Sequence, residues 1–149
     1  MKGFRPLLLA MAAGAALTAC ASTGLRDAEE LELYRAHAGD PVPSFNFFGS
    51  LNGWTPLGDS ALVVRTKPNE AFLLELSGPC QDLEYTPAIG LTSQMNRVHA
   101  RFDKVLVRSS VGPNMPCIIQ TIRPLDIKAV RASEKELREA SVQEREAGS

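Results

Sequence analysis

The chain has little surplus charge of either sign. It carries 16 Lys and Arg against 17 Asp and Glu, a formal net charge of −1. Proteins that neutralise several phosphates need a basic stripe, and this composition offers none, which argues against nucleic acid as a partner. Catalytic signatures are equally scarce. Gly-x-Ser-x-Gly and the Gly-rich phosphate loop are both missing, so neither an exposed serine nucleophile nor a nucleotide cradle is signalled. Histidine occurs twice and cysteine three times, with none of the close ligand spacings of zinc modules. No metal and no cofactor are expected. Long apolar runs are missing too. The one stretch of note, Leu7 to Leu17, is too short at about 1.5 Å per helical residue for a bilayer core of roughly 30 Å.

That stretch nevertheless has a recognisable form. Lys2 and Arg5 precede it, and small residues lead to Cys20 in Leu17-Thr18-Ala19-Cys20. A basic start, a short apolar run and small residues at the end make a secretory signal peptide. The last four residues resemble the lipobox of bacterial lipoproteins. The resemblance implies cleavage before Cys20 and acylation of its thiol, and several acyl chains anchor a protein stably where one does not. Ala21 follows the cysteine rather than Asp, which in Gram-negative lipoproteins implies the outer membrane.

Removal of residues 1–19 leaves 14 basic and 17 acidic side chains, because Lys2 and Arg5 go with the signal. It also settles the cysteine parity. With Cys20 carrying lipid, Cys80 and Cys117 remain, and an oxidising periplasm favours a disulfide between them. The competing use, a metal site from Cys80, Cys117, His37 and His99, lacks the usual spacing.

Four segments follow: a lipoprotein signal peptide over 1–19, a tether and short helix over 20–41, a β domain over 42–126 and a polar tail over 127–149. The tether is Ala21–Gly24. Asp27 and Glu30 predict a capped helix start, with Leu31, Tyr34 and Ala38 at helical spacing and Gly39 and Pro41 as stops. Ala61–Thr66 and Ala71–Leu76 predict a hairpin across Lys67-Pro68-Asn69-Glu70, with Leu62 and Val64 on one face of the first strand and Phe72, Leu74 and Leu76 on one face of the second. A second hairpin is predicted about Gln94-Met95-Asn96, between Ile89–Ser93 and Arg97–Phe102. The apolar phase then flips, since Val105 and Val107 are in register with Asp103, which predicts a bulge or bend at Asp103-Lys104. Cys117–Arg123 is the last strand. Five to seven short strands predict a mainly β fold, a small antiparallel barrel or sandwich. Ser133-Glu134-Lys135-Glu136 suggests a capping box, yet Leu137 is nearly the only large apolar residue beyond Val130, so the tail is expected as a solvated helix or a disordered segment.

Trp54, Leu62-Val63-Val64, Gly78-Pro79-Cys80, Ile89–Ser93, Arg101-Phe102-Asp103-Lys104-Val105 and Cys117 through Pro124 stand in an order and spacing that resembles a family of small proteobacterial lipoproteins with a domain of unknown function. The resemblance covers Phe45 to Leu125. It implies an exported envelope protein with a paired-cysteine β domain, and it brings no activity or catalytic residue.

Four residues are candidates for binding. His99, Arg101 and Asp103 are expected on one side of a strand, where they could do acid–base work or form a solvated face with an Arg101–Asp103 ion pair. Asp103 could instead bond backbone amides at the bend. Trp54, with Phe45–Phe48, could form an aromatic patch or pack in the core. The function expected is that of a lipid-anchored envelope protein at the periplasmic face of the outer membrane, acting by binding or assembly and not as an enzyme. Its partners would be the membrane, through the lipid, and an envelope protein or peptidoglycan. The alternative is a hydrolase of envelope material built around His99 and Asp103.

Overall fold

The computed structural model describes residues 21–109, 112–113 and 115–148. The expected signal peptide over 1–19 and the expected lipobox at Cys20 lie outside the described residues. In chain order the elements are α1 (Ala21–Ala36), β1 (Ser44–Asn46), β2 (Gly53–Pro56), β3 (Ala61–Lys67), β4 (Glu70–Leu76), β5 (Ile89–Leu91), β6 (Arg97–His99), β7 (Lys104–Val107), β8 (Met115–Leu125) and α2 (Ile127–Ala147). Six strands form one antiparallel sheet in the order β2-β3-β4-β8-β7-β5, and β1 pairs with β6 in a second, two-stranded sheet. The large sheet curls into a half-barrel. Register shifts between Arg65 and Lys67 and between Glu75 and Leu76 sharpen its local twist.

The β3–β4 hairpin explains why Ala61–Val64 is apolar without alternation: both of its faces are buried. Leu62 lies opposite Leu74 and Val64 opposite Phe72. This face joins the main core with Phe45, Leu83, Val98, Val105, Ile119 and Ile122, over which the β1–β6 ribbon folds. Ala61, Val63, Ala71 and Leu73 face the other way, into a second cluster with Tyr34, Leu57 and Val130. Each fully buried Leu or Val contributes roughly 1.5–3 kcal/mol relative to exposure. The Phe45 ring stacks on Phe72 with centroids 4.7 Å apart, which fixes the ribbon against β4.

Three expectations change. The first concerns α1, which begins at Ala21 and takes in Ala21–Gly24, so Asp27 falls within the helix and caps nothing. Secondly, the tail is a helix, and it starts earlier than Ser133: the Asp126 side chain accepts from Ala129 N at 3.1 Å as the N-cap. Ser133, freed from capping, lies 2.9 Å from His37 Nε2 through its Oγ. Ile127 and Val130 meet Leu31, Tyr34, Ala38 and Leu125, so two apolar residues suffice to dock the first turns of α2. Tyr34 OH donates to Glu134 Oε1 at 2.9 Å one turn further on. Burial first, then the hydrogen bond to Glu134 and the negative charges of Glu134 and Glu30, push the Tyr34 hydroxyl well above its ordinary value and keep it a donor. Burial, then Glu134 and Asp27, likewise raise Glu30. Farther along α2, Leu137 and Val142 are exposed, as an unstriped helix requires.

The third change is the second hairpin. Its turn is present: Gln94 and Arg97 exchange N–H···O bonds of 2.9 and 3.0 Å around Met95 and Asn96, both at positive φ. Its flanking strands do not pair with each other. β5 pairs with β7, and β6 leaves the large sheet to pair with β1. Among the described residues, no helix is long and apolar enough to cross a membrane.

The disulfide is formed. Cys80 and Cys117 bridge with Cα atoms 5.8 Å apart and join the segment after β4 to the start of β8. Cys80 is buried in the main core, and its N–H donates to Asp59 O at 2.7 Å.

Candidate functional site

β6 ends at His99, and the chain reverses over Ala100–Phe102 before β7 starts at Lys104. His99, Arg101 and Asp103 therefore do not share a strand face. The cause is the Asp103 side chain, which is 4% exposed. Its Oδ2 accepts the His99 N–H at 2.7 Å, and its Oδ1 accepts the Thr92 hydroxyl at 2.7 Å. Thr92 Oγ1 in turn accepts the Lys104 N–H at 2.9 Å. The Asp103 N–H donates to His99 O, closing the turn from the other side. Asp103 thus holds the bend that the phase flip in the sequence signals. The expected Arg101–Asp103 ion pair is replaced by His99 Nδ1 at 3.3 Å from Asp103 Oδ2.

Arg101 sits at the tip of this turn with φ of 70°, a conformation that costs a non-glycine residue on the order of 1 kcal/mol. Its N–H donates to Ile119 O at 2.6 Å, and the Ile119 N–H donates to Asp103 O at 3.0 Å, which locks the turn to β8. Phe102 beside it is 77% exposed. The turn at Ala100 cuts short the strand expected over Arg97–Phe102.

A groove of about 450 Å³ lies between this turn and the segment after α1, lined by Pro41, Val42, Pro43, His99–Phe102 and Gln120–Ile122. Its floor is a break in the pairing along β8. Up to Ile119 that edge is bonded by Arg101 and Asp103, and from Ile122 onward it is covered by the chain after α1, through Val42 N to Ile122 O and Gly39 N to Pro124 O, both at 2.8 Å. Gln120 and Thr121 lie between the two partners. Gln120 is also the extra residue where β8 shifts register against β4, since Thr121 lies opposite Glu75 and Ile119 opposite Leu76.

Of the residues singled out from sequence, His99 and Arg101 line this groove and Asp103 supports it from behind. Trp54 is elsewhere: it lies on β2 opposite Val64, half-buried against the main core. Gln120, Thr121 and the Pro41-Val42-Pro43 wall carried no legible signal. The prolines read only as a helix stop, and the approach of this segment to β8 is a contact across some eighty residues of chain.

Chemically, a carboxylate behind an imidazole is half of a general-base arrangement. Here the carboxylate's shortest bonds go to a main-chain amide and a threonine. Among the described residues no Ser, Thr or Cys bonds to the His99 ring. Among the described residues, no acidic side chain lines the groove. The arrangement presents a guanidinium, an imidazole, an exposed phenyl ring and two amide or hydroxyl side chains around a concave floor, which is the composition of a binding site.

The architecture is a disulfide-stapled, mainly β half-barrel with two helices and a groove on its surface. The chain belongs to a family of unknown function (DUF6491), whose model matches residues 3–141, well beyond the Phe45–Leu125 span that carries the resemblance in the sequence. No curated protein and no solved structure matches it.

Proposed function

We propose that the protein is a lipoprotein of the bacterial envelope, acylated at Cys20, held at the periplasmic face of the outer membrane, and acting by binding or assembly. The observation that carries this is the fate of the three sulfurs. Cys80 and Cys117 are joined, which fits an oxidising compartment and leaves Cys20 as the odd cysteine, set at the end of a basic-then-apolar leader. Binding is favoured over catalysis because Asp103 is occupied in closing a turn and no nucleophile bonds to His99 among the described residues. The groove between Pro41–Pro43 and the Arg101 turn is the contact surface. One observation favours the hydrolase alternative, the His99 ring on the groove wall with Asp103 behind it, and a purified protein that degrades envelope polymers and loses that activity in His99→Ala would establish it.

A photo-reactive residue placed at Phe102 tests the proposal in living cells. The expected result is a specific cross-link to one envelope component, absent when the same group is placed at the exposed Leu137 on α2. Cross-linking that recovers the same material from both positions, or nothing from either, would contradict it.

A further inference from the structure

We infer that the groove receives the free carboxy-terminal end of an extended polypeptide. This deepens the proposal above and rests on the groove being the contact surface.

Three observations converge. First, the groove is charge-complementary to an anion although the chain as a whole is slightly acidic. The cation lining it is Arg101; His99 lies beside it with its Nδ1 3.3 Å from Asp103 Oδ2, and among the described residues no carboxylate lines the groove and no acceptor pairs with the Arg101 guanidinium. A guanidinium presents two parallel N–H donors that match a carboxylate. Asp103, the acidic group nearest in sequence, is held by the His99 N–H and the Thr92 hydroxyl. Second, the floor lies between two sets of backbone partners on the groove side of β8, which stop at Ile119 and resume at Ile122, and among the described residues no backbone bond from outside the ladder reaches Gln120 or Thr121. The gap has the length of one short extended segment, whose reach is ended on one side by Arg101 and on the other by Val42. Third, Arg101 is held at a φ of 70° that glycine would adopt without cost. A long cation kept at the tip of a strained turn, beside a phenyl ring that is 77% exposed, is explained by a ligand that uses both. The terminal carboxylate lies on Arg101, the preceding peptide unit on Gln120–Thr121, and the last side chain against Phe102 and Pro43.

The test is a titration of the isotope-labelled full chain, disulfide intact and purified in detergent, followed by the amide resonances of His99–Phe102 and Gln120–Ile122. The probes are N-acetyl-Ala-Ala-Ala-Phe as the free acid, the same peptide as its C-terminal amide, and the free acid with a D-residue last. The inference predicts saturable shifts with the L free acid and at least tenfold weaker binding of the amide. Arg101→Gly should leave the rest of the spectrum in place, because it relaxes the turn, and should weaken the free acid at least tenfold, while Arg101→Lys should retain part of the affinity. Equal binding of acid and amide, unchanged binding in Arg101→Gly, or no saturable shift at millimolar peptide would overturn it. Tighter binding of the D-terminated probe would also overturn it, in favour of a cell-wall stem peptide. Failure here would leave the Phe102 cross-link standing, whereas loss of that cross-link with peptide binding intact would tell against the envelope role alone.

Discussion

The paired substitution Cys80→Ser/Cys117→Ser is expected to lower the stability of the protein by about 4 kcal/mol. The bridge spans 37 residues, and closing a loop of that length removes roughly this much conformational freedom from the unfolded chain on the entropy model. That is a large share of the roughly 5–15 kcal/mol that stabilises an ordinary domain. The segment it secures needs it: the chain after β4 has no strand of its own until β5, yet it places Leu83 fully within the main core. Urea denaturation checks this, with the midpoint falling by about 2 M for an m-value near 2 kcal/mol/M. A fall equivalent to less than about 1 kcal/mol would mean that packing of Leu83 and the Cys80 N–H bond to Asp59 hold the segment without the bridge.

Asp103→Ala is expected to cost about 3 kcal/mol, the second-largest effect. It leaves the His99 N–H and the Thr92 hydroxyl without their acceptor and frees the turn that carries Arg101. Asp103→Asn keeps the shape and one acceptor oxygen, so it should lose about half as much. Hydrogen exchange separates this from a general loss of stability. The His99 amide should lose its protection in Asp103→Ala at a denaturant concentration where the Leu62 and Leu74 amides keep theirs. If His99 stays protected, the turn is held by the Arg101–Ile119 and Ile119–Asp103 main-chain bonds alone, and the role given to the carboxylate is wrong.

Much of the fold is legible in the residues because local pattern and tertiary environment agree there. The β3–β4 hairpin needs only a turn and two apolar runs, and the faces read from Leu62, Val64, Phe72 and Leu74 are those that meet across the ladder. The phase flip at Asp103 marks a real bend for the same reason, since a side-chain period of two cannot continue through it. What escapes the sequence is non-local. Nothing near Arg97–His99 says that it leaves the large sheet to pair with Ser44–Asn46, which lie some fifty residues earlier. Nothing in the polar tail says that Val130 and Glu134 find Tyr34 on α1. The site follows the same rule. His99, Arg101 and Asp103 are legible as a cluster, but the strand expected to carry them is a turn, and the groove appears only where Pro41–Pro43 and β8 come together.

The central claim is the anchor, and the intact mass of the native protein extracted from membranes tests it most directly. It is expected to begin at Cys20 with acyl chains on that residue, and a Cys20→Ser variant should take up no labelled palmitate and leave the membrane fraction. A native chain that begins at Met1, bears no lipid and fractionates with the cytosol would contradict the account.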